Sequence, residues 1–178
     1  MPVAIYCGAQ SLSYVIRSQA LMKKVLVYGI GNPYRCDDAI GIKVAQELAE
    51  KIAEPLIDIK WGSIDGIAIL DEIVGYERVI FIDSVKTEHG KPGDIYKIKP
   101  SSHNDIDEPF SSHGINFMTA LQFGKKFDLK MPEQIDIYAV EIIDNTSFSE
   151  ECTKKVKASI PKIVEAIIGE LEANEGSE

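Results

Sequence analysis

Short apolar runs of strand length alternate with longer segments of helical period from residue 25 onward, and this alternation limits the possible folds more than any other feature. The predicted strands of this kind lie at 25–29, 56–61, 79–82 and 135–140. Between the first two, Ile40, Val44 and Leu48 recur at the spacing of an amphipathic helix. The pattern predicts an α/β fold: a single three-layer domain with a mostly parallel, twisted sheet of about five strands and helices on both faces.

The remaining segments complete this plan. Residues 94–99 alternate polar and apolar side chains, which is typical of an edge or antiparallel strand. The polar stretch 100–112 is predicted to be a loop of a length that tends to be functional or mobile. The last helix is predicted to begin at a capping box formed by Ser147 and Glu150 and to be kinked by Pro161.

Three regions of the chain differ in character. Residues 1–21 precede a second methionine and are interpreted as an N-terminal extension, either an upstream-start artefact or a loosely packed leader. Residues 22–174 are expected to form the folded domain, and 175–178 belong to an acidic tail.

Charge and cysteine content exclude several classes of partner and site. Nineteen Lys and Arg residues against 28 Asp and Glu residues give a formal net charge of −9, which disfavours nucleic acid and membrane surfaces as partners. Cys7, Cys36 and Cys152 form no CxxC pair, so neither a disulfide framework nor a thiolate zinc site is indicated. Because the sequence also lacks an apolar run of membrane-spanning length or a signal-peptide pattern, we expect a cytoplasmic location.

Polar groups occur where predicted strands end. The pair Asp37 and Asp38 follows the first strand, Asp83 follows the third, and His113 opens a predicted helix. In an open α/β sheet these positions converge at one edge, and two carboxylates with an imidazole would suit nickel, zinc or cadmium. Asp37 is interpreted as a helix cap, and Asp38 and His113 could also be capping residues. Cys36 is either a soft ligand or a small buried filler.

The loop 29–32 (GIGN) suggests a dinucleotide site, but the surrounding residues argue against it. Tyr34 stands where the third glycine of GxGxxG belongs, and two aspartates occupy the helix start where a phosphate needs positive potential. The second strand has no ribose-binding acid at its tip. We therefore interpret the glycines as allowing a sharp turn that points Asp38 back over the edge of the sheet.

Several segments together resemble a known family, the [NiFe]-hydrogenase maturation endopeptidases. The opening signature of that family is similar to residues 25–41 (VLVYGIGNPYRCDDAIG). The similarity continues in register through WGSIDG (61–66), VIFIDSV (79–85), KPGDIY (91–96), SSHGINF (111–117) and IYAVEI (137–142). It covers about residues 24–170.

The resemblance implies an endopeptidase that removes a C-terminal extension from the hydrogenase large-subunit precursor after nickel has been inserted. Nickel would be carried by the substrate and not held by the free enzyme. The nickel-recognising and catalytic triad of the family falls on Asp38, Asp83 and His113. Ala39 and Ser63 depart from the common pattern of the family but are not members of this triad. They bear on which hydrogenase the enzyme processes and not on the type of reaction.

Two alternatives stay open at this point. The attacking oxygen could come from a carboxylate, most plausibly Asp38, or from a water polarised by the metal. The protein could also be a noncatalytic α/β module that binds a metal-bearing or small-molecule ligand at the same edge.

Overall fold

One five-stranded sheet organises the residues that the computed structural model describes, which are 24–64, 66–100 and 117–175. In chain order the strands are β1 (Val25–Ile30), β2 (Ile57–Gly62), β3 (Arg78–Val85), β4 (Ile95–Ile98) and β5 (Gln134–Glu141). Their spatial order is β2-β1-β3-β5-β4, and all neighbours pair in parallel except β4 with β5. This confirms the mostly parallel sheet and its antiparallel edge strand.

Helices cover both faces of the sheet, which confirms the three-layer α/β prediction. They are α1 (Ile40–Lys51), α2 (Ile69–Ile73), α3 (Phe117–Lys126), α4 (Lys154–Lys157) and α5 (Ile160–Glu175), with 3-10 turns at Cys36–Ala39 and Gly66–Ala68. On one face α1, α4 and α5 pack on alternate strand residues such as Val27 and Ile80. On the other face α2 and α3 pack on Leu26 and Phe81. Burial of these two apolar faces supplies most of the driving force for folding.

The start of α1 lies directly against the sheet. A Cβ atom on Gly41 would lie 2.3 Å from the carbonyl oxygens of both Ile30 and Ile82, and one on Gly29 would lie 2.2 Å from the carbonyl oxygen of Gly41. Only glycine permits this approach. It places the residues just before α1 against the carboxyl ends of β1 and β3.

Three predictions about the course of individual elements are wrong: the start of the last helix, its kink and the end of β3. The capping box at Ser147 and Glu150 does not start a helix, because Ser149 instead pairs with Arg35 in an isolated bridge and α4 begins only at Lys154. The predicted kink is a turn between α4 and α5, and Pro161 lies in the first turn of α5, where a missing N–H is tolerated. Likewise, β3 does not end at Asp83 but continues to Val85, which pairs with Glu141 of β5.

Several predictions concern residues outside the described ranges. These are the extension 1–21, the loop 101–112, His113 and the last three residues of the acidic tail. Within the described ranges α5 extends to Glu175, the first residue of that tail. No helix in the same ranges has the length and apolar character needed to cross a membrane.

Candidate functional site

In the sheet, β1 lies between β2 and β3, the two strands that follow it in the chain. From β1 the chain passes to β2 on one side, and from β2 it returns to β3 on the other side of β1. The intervening helices α1 and α2 lie on opposite faces, which makes the carboxyl ends of β1 and β3 a topological switch point of the sheet. We call this region the carboxyl edge. It is the place where α/β sheets of this kind bind ligands.

Asp38 lies at the carboxyl edge in the 3-10 turn between β1 and α1, and it is fully buried. Its Oδ2 accepts a hydrogen bond from the backbone N of Asn32 at 3.0 Å, and its Oδ1 accepts one from Ser84 Oγ at 3.0 Å. A Cβ on Gly31 would lie 2.1 Å from the Asp38 carbonyl oxygen, so the turn requires glycine there. The prediction that the glycine loop directs Asp38 toward the edge agrees with this geometry.

Asp83 lies near the end of β3 and is also buried. Its Oδ1 accepts a hydrogen bond from the backbone N of Ser84 at 2.7 Å. Since the hydroxyl of Ser84 donates to Asp38, both acids are hydrogen-bonded to the same residue. Two of the three predicted site residues therefore lie next to Ser84, Asp38 on one face of β3 and Asp83 on the other. Ser84 itself was not predicted, although it follows Asp83 directly in the sequence.

The side chain of Asp83 belongs to the face of β3 that carries α3. Successive strand residues point to opposite faces, so Asp83 shares its face with Phe81. The ring of Phe81 meets that of Phe117, the first residue of α3, edge-on at a centroid distance of 5.2 Å. The start of α3 therefore packs against β3 at Phe81, two residues before Asp83. His113, four residues before α3, lies outside the described residues, and its place beside the two acids stays a prediction.

Asp37 has a different role from the helix cap that the sequence suggested. It is fully buried and caps neither the 3-10 turn nor α1. Its carboxylate accepts hydrogen bonds from the backbone N atoms of Ile143, Asp144 and Thr153 and from Thr153 Oγ1, at 2.6 to 3.1 Å. Asp37 thereby ties the start of α1 to the segment that follows β5.

Cys36 is a buried filler, as one of its two interpretations held. It is almost fully buried and adopts a positive φ of 47°. Burial, followed by the nearby Asp37 carboxylate, raises the pKa of its thiol. Its near-complete burial fits a small packing side chain.

A further buried acid, Glu141, shapes the neighbouring part of the edge and was not predicted. Its carboxylate accepts hydrogen bonds from the backbone N of Thr87 at 2.7 Å and from Thr87 Oγ1 at 2.9 Å. Gly90 N in turn donates to Thr87 Oγ1. Glu141 thus fixes Thr87 in the segment that follows β3, four residues after Asp83. A charged residue closing an apolar strand is the sequence signal that could have identified it.

A model of the family described as hydrogenase maturation protease (HycI) matches residues 42–170. The chain belongs to this family. This confirms the predicted family and makes the protein a hydrogenase maturation endopeptidase, which favours an enzyme over the noncatalytic binding module.

Individual relatives agree with this assignment. The hydrogenase 2 maturation protease of Escherichia coli K12 is 23% identical over 113 residues, which cover 61% of this chain and 69% of that protein. Among solved structures, the hydrogenase maturating endopeptidase HybD from E. coli has a TM-score of 0.68 at 21% identity, covering 85% of this chain and 93% of its own. The [NiFe] hydrogenase maturation protease HycI from Thermococcus kodakarensis KOD1 has a TM-score of 0.67 at 22% identity, covering 82% and 90%. These structures share the fold of this maturation protease.

The maturation protease holds two carboxylates at the carboxyl edge, and carboxylate oxygens alone favour hard divalent cations. Among its described residues, no three His, Cys, Asp or Glu side chains are grouped so that they could hold a metal ion. Asp38 and Asp83 could supply two oxygen ligands. A third ligand is expected from the segment that precedes α3, where the sequence places His113.

Proposed function

We propose that this maturation protease recognises nickel in the [NiFe]-hydrogenase large-subunit precursor and then removes the precursor's C-terminal extension. The observation that carries the proposal is the pair of buried acids, Asp38 and Asp83, hydrogen-bonded to Ser84 at the carboxyl edge. Family membership supports the precursor as the substrate, because these enzymes act in hydrogenase maturation. Nickel belongs to the substrate in this scheme.

Asp38, Asp83 and His113 are proposed to contact the nickel ion that the precursor carries. This contact would hold the scissile peptide beside the acids, and such positioning contributes much of the rate in comparable reactions. A precursor without nickel would lack the ion that these three side chains are proposed to contact. The protease would therefore discriminate against unfinished precursor through binding energy.

The proposed reaction is hydrolysis of one peptide bond. Water adds to the scissile carbonyl carbon, the C–N bond breaks, and the proton lost by water is transferred to the departing amine. Asp38 is the proposed acceptor of that proton, because its carboxylate is oriented by two hydrogen bonds at the edge. The alternative route uses a water polarised by the substrate's nickel, and Asp38 would then serve only as a ligand.

Incubation of the purified protease with nickel-loaded and nickel-free precursor, followed by mass spectrometry, tests the proposal. We expect the precursor to lose the mass of its extension only when nickel is present. Equal shortening without nickel would refute nickel recognition, and no shortening with nickel would refute the proposed reaction.

Variants test the residues. Asp38→Asn, Asp83→Asn and His113→Ala should each lower kcat/KM by about 100-fold or more. Asp71→Asn is the matched control, because Asp71 is an exposed acid on α2 and the chemical change is the same. Near-normal cleavage by the Asp38 or Asp83 variants would remove those residues from the site.

A further inference from the structure

Two exposed aromatic rings lie together where the chain leaves β1 and β5. Tyr34 is 52% exposed and Phe148 is 85% exposed, and their rings stack with centroids 5.9 Å apart and planes 7° apart. We call these two residues the aromatic pair. Large apolar side chains grouped on a surface are a common mark of an interaction site.

The backbone beneath the aromatic pair is firmly held. Ser149 N donates to the carbonyl oxygen of Tyr34 at 3.0 Å, and Cys36 N donates to the carbonyl oxygen of Ser149 at 2.9 Å. Below this bridge, Asp37 accepts its hydrogen bonds from the segment that carries Phe148. The rings are therefore exposed on an ordered support. A support of this kind lowers the entropy cost of binding, because little needs to be ordered on contact.

The aromatic pair is connected to the candidate catalytic acid through a single turn. The backbone N of Tyr34 donates to Asn32 Oδ1 at 3.0 Å, and the backbone N of Asn32 donates to Asp38 Oδ2 at 3.0 Å. The turn that holds the Asp38 carboxylate through Asn32 thus also holds the backbone of Tyr34. A molecule seated on the ring would lie next to the carboxyl edge.

We infer that the aromatic pair is a docking surface for an apolar patch of the hydrogenase large-subunit precursor, and that it binds the precursor whether or not nickel is present. The inference rests on the proposed function for the identity of the partner. The size of the surface favours a transient contact with a substrate over a second copy of this chain. Two aromatic side chains can bury a few hundred Å² at most, which suits part of a transient interface, whereas a stable dimer buries on the order of 1,600 Å².

The test measures the Kd of nickel-free precursor by titration with wild type, Tyr34→Ala and Phe148→Ala. Each substitution should raise Kd about tenfold, as expected for an exposed aromatic anchor. The matched control is Phe127→Ala. Phe127 is 57% exposed and packs on Phe123 with centroids 4.4 Å apart, but it follows the C-terminal end of α3, at the opposite edge of the sheet. It should leave Kd within about twofold of wild type.

Each result decides the inference. A tenfold loss confined to the aromatic pair supports it. An unchanged Kd for Phe148→Ala, an equal loss for Phe127→Ala, or no binding of nickel-free precursor by wild type would overturn it. Cleavage of nickel-loaded precursor is measured in parallel. Binding through Phe148 without any cleavage would refute the proposed function and leave the docking surface supported.

Discussion

At the residue scale, Ser84 links the two acids of the site. Its hydroxyl donates to Asp38 Oδ1 and its backbone N donates to Asp83 Oδ1, so one residue orients a carboxylate on each face of β3. The hydroxyl contact is buried, and a hydrogen bond to a charged group contributes more than a neutral one.

Ser84→Ala removes only the hydroxyl. We expect the free energy of unfolding to fall by about 2 kcal/mol, because a donor to a buried carboxylate is lost. We also expect a decrease of about tenfold in kcat/KM, because Asp38 loses one of the bonds that orient it. Urea denaturation and the cleavage assay measure the two effects. Wild-type activity in this variant would show that Asp38 does not depend on Ser84 for its orientation.

Tyr76 provides a pH-dependent test of stability away from the site. Its hydroxyl donates to Asp58 Oδ2 at 2.5 Å. Burial of the ring, together with the Asp58 carboxylate, raises the pKa of Tyr76 to about 12. The folded state holds this proton more tightly than the unfolded chain, in which tyrosine titrates near pH 10. The stabilisation is therefore present below about pH 10 and lost as pH rises through about 12.

Tyr76→Phe should reveal this dependence by comparison with wild type. At neutral pH we expect the free energy of unfolding of the variant to be about 1 kcal/mol below that of wild type. The value is modest because Asp58 is partly exposed. The difference should shrink toward zero at about pH 11 to 12. Urea denaturation at both pH values measures it. A difference that does not change with pH would contradict the raised pKa.

At the element scale, the contact between α1 and the sheet depends on glycine. Gly41→Ala would push a methyl group against two backbone carbonyl oxygens, so we expect a loss of about 2–4 kcal/mol in unfolding free energy. Gly169→Ala is the matched control on α5, because a Cβ there has no neighbour within 4 Å. That substitution should stabilise the protein by about 0.5–1 kcal/mol through helix propensity. Thermal or urea denaturation compares the two, and equal effects would contradict the close packing of α1.

The segment after β5 is held by Asp37. Asp37→Asn removes the charge that accepts four hydrogen bonds, and we expect a loss of about 2–4 kcal/mol in unfolding free energy. Amide hydrogen exchange should accelerate first at Ile143, Asp144 and Thr153, whose N–H groups lose their acceptor. Unchanged exchange at these amides would show that the segment is held by other contacts.

The elements that local pattern predicted correctly are those whose core contacts repeat along the chain. Apolar runs located β1, β2 and β5 to within one or two residues, and the spacing of Ile40, Val44 and Leu48 located α1. The capping box failed because Ser149 pairs with Arg35, a residue distant in sequence. The end of β3 was misplaced for a similar reason, since its last residues pair with β5.

The positions of two candidate site residues follow from topology. The rule that ligands bind at the carboxyl ends of strands selected Asp38 and Asp83, and both lie next to Ser84 in the structure. The roles of Ser84, Asp37 and Glu141 depend on hydrogen bonds to partners far along the chain. Nothing in the local sequence specifies such partners.

At the scale of the whole molecule, the carboxyl edge holds the described features that the proposed function uses. The order of the strands makes the carboxyl ends of β1 and β3 a topological switch point, and the glycine contacts place the start of α1 against it. Asp38 reaches this edge from the 3-10 turn before α1 and Asp83 from β3, and the aromatic pair lies on the loops that follow β1 and β5. Recognition of metal and recognition of the precursor surface would therefore act side by side.

The most direct test is anomalous diffraction from crystals of the protease soaked with nickel or with cadmium, which would stand in for the nickel that the substrate carries. The account predicts one anomalous peak, with a carboxylate oxygen of Asp38, a carboxylate oxygen of Asp83 and an imidazole nitrogen of His113 each about 2.0–2.5 Å from the ion. A peak bound elsewhere, or the three side chains placed too far apart to share one ion, would contradict it.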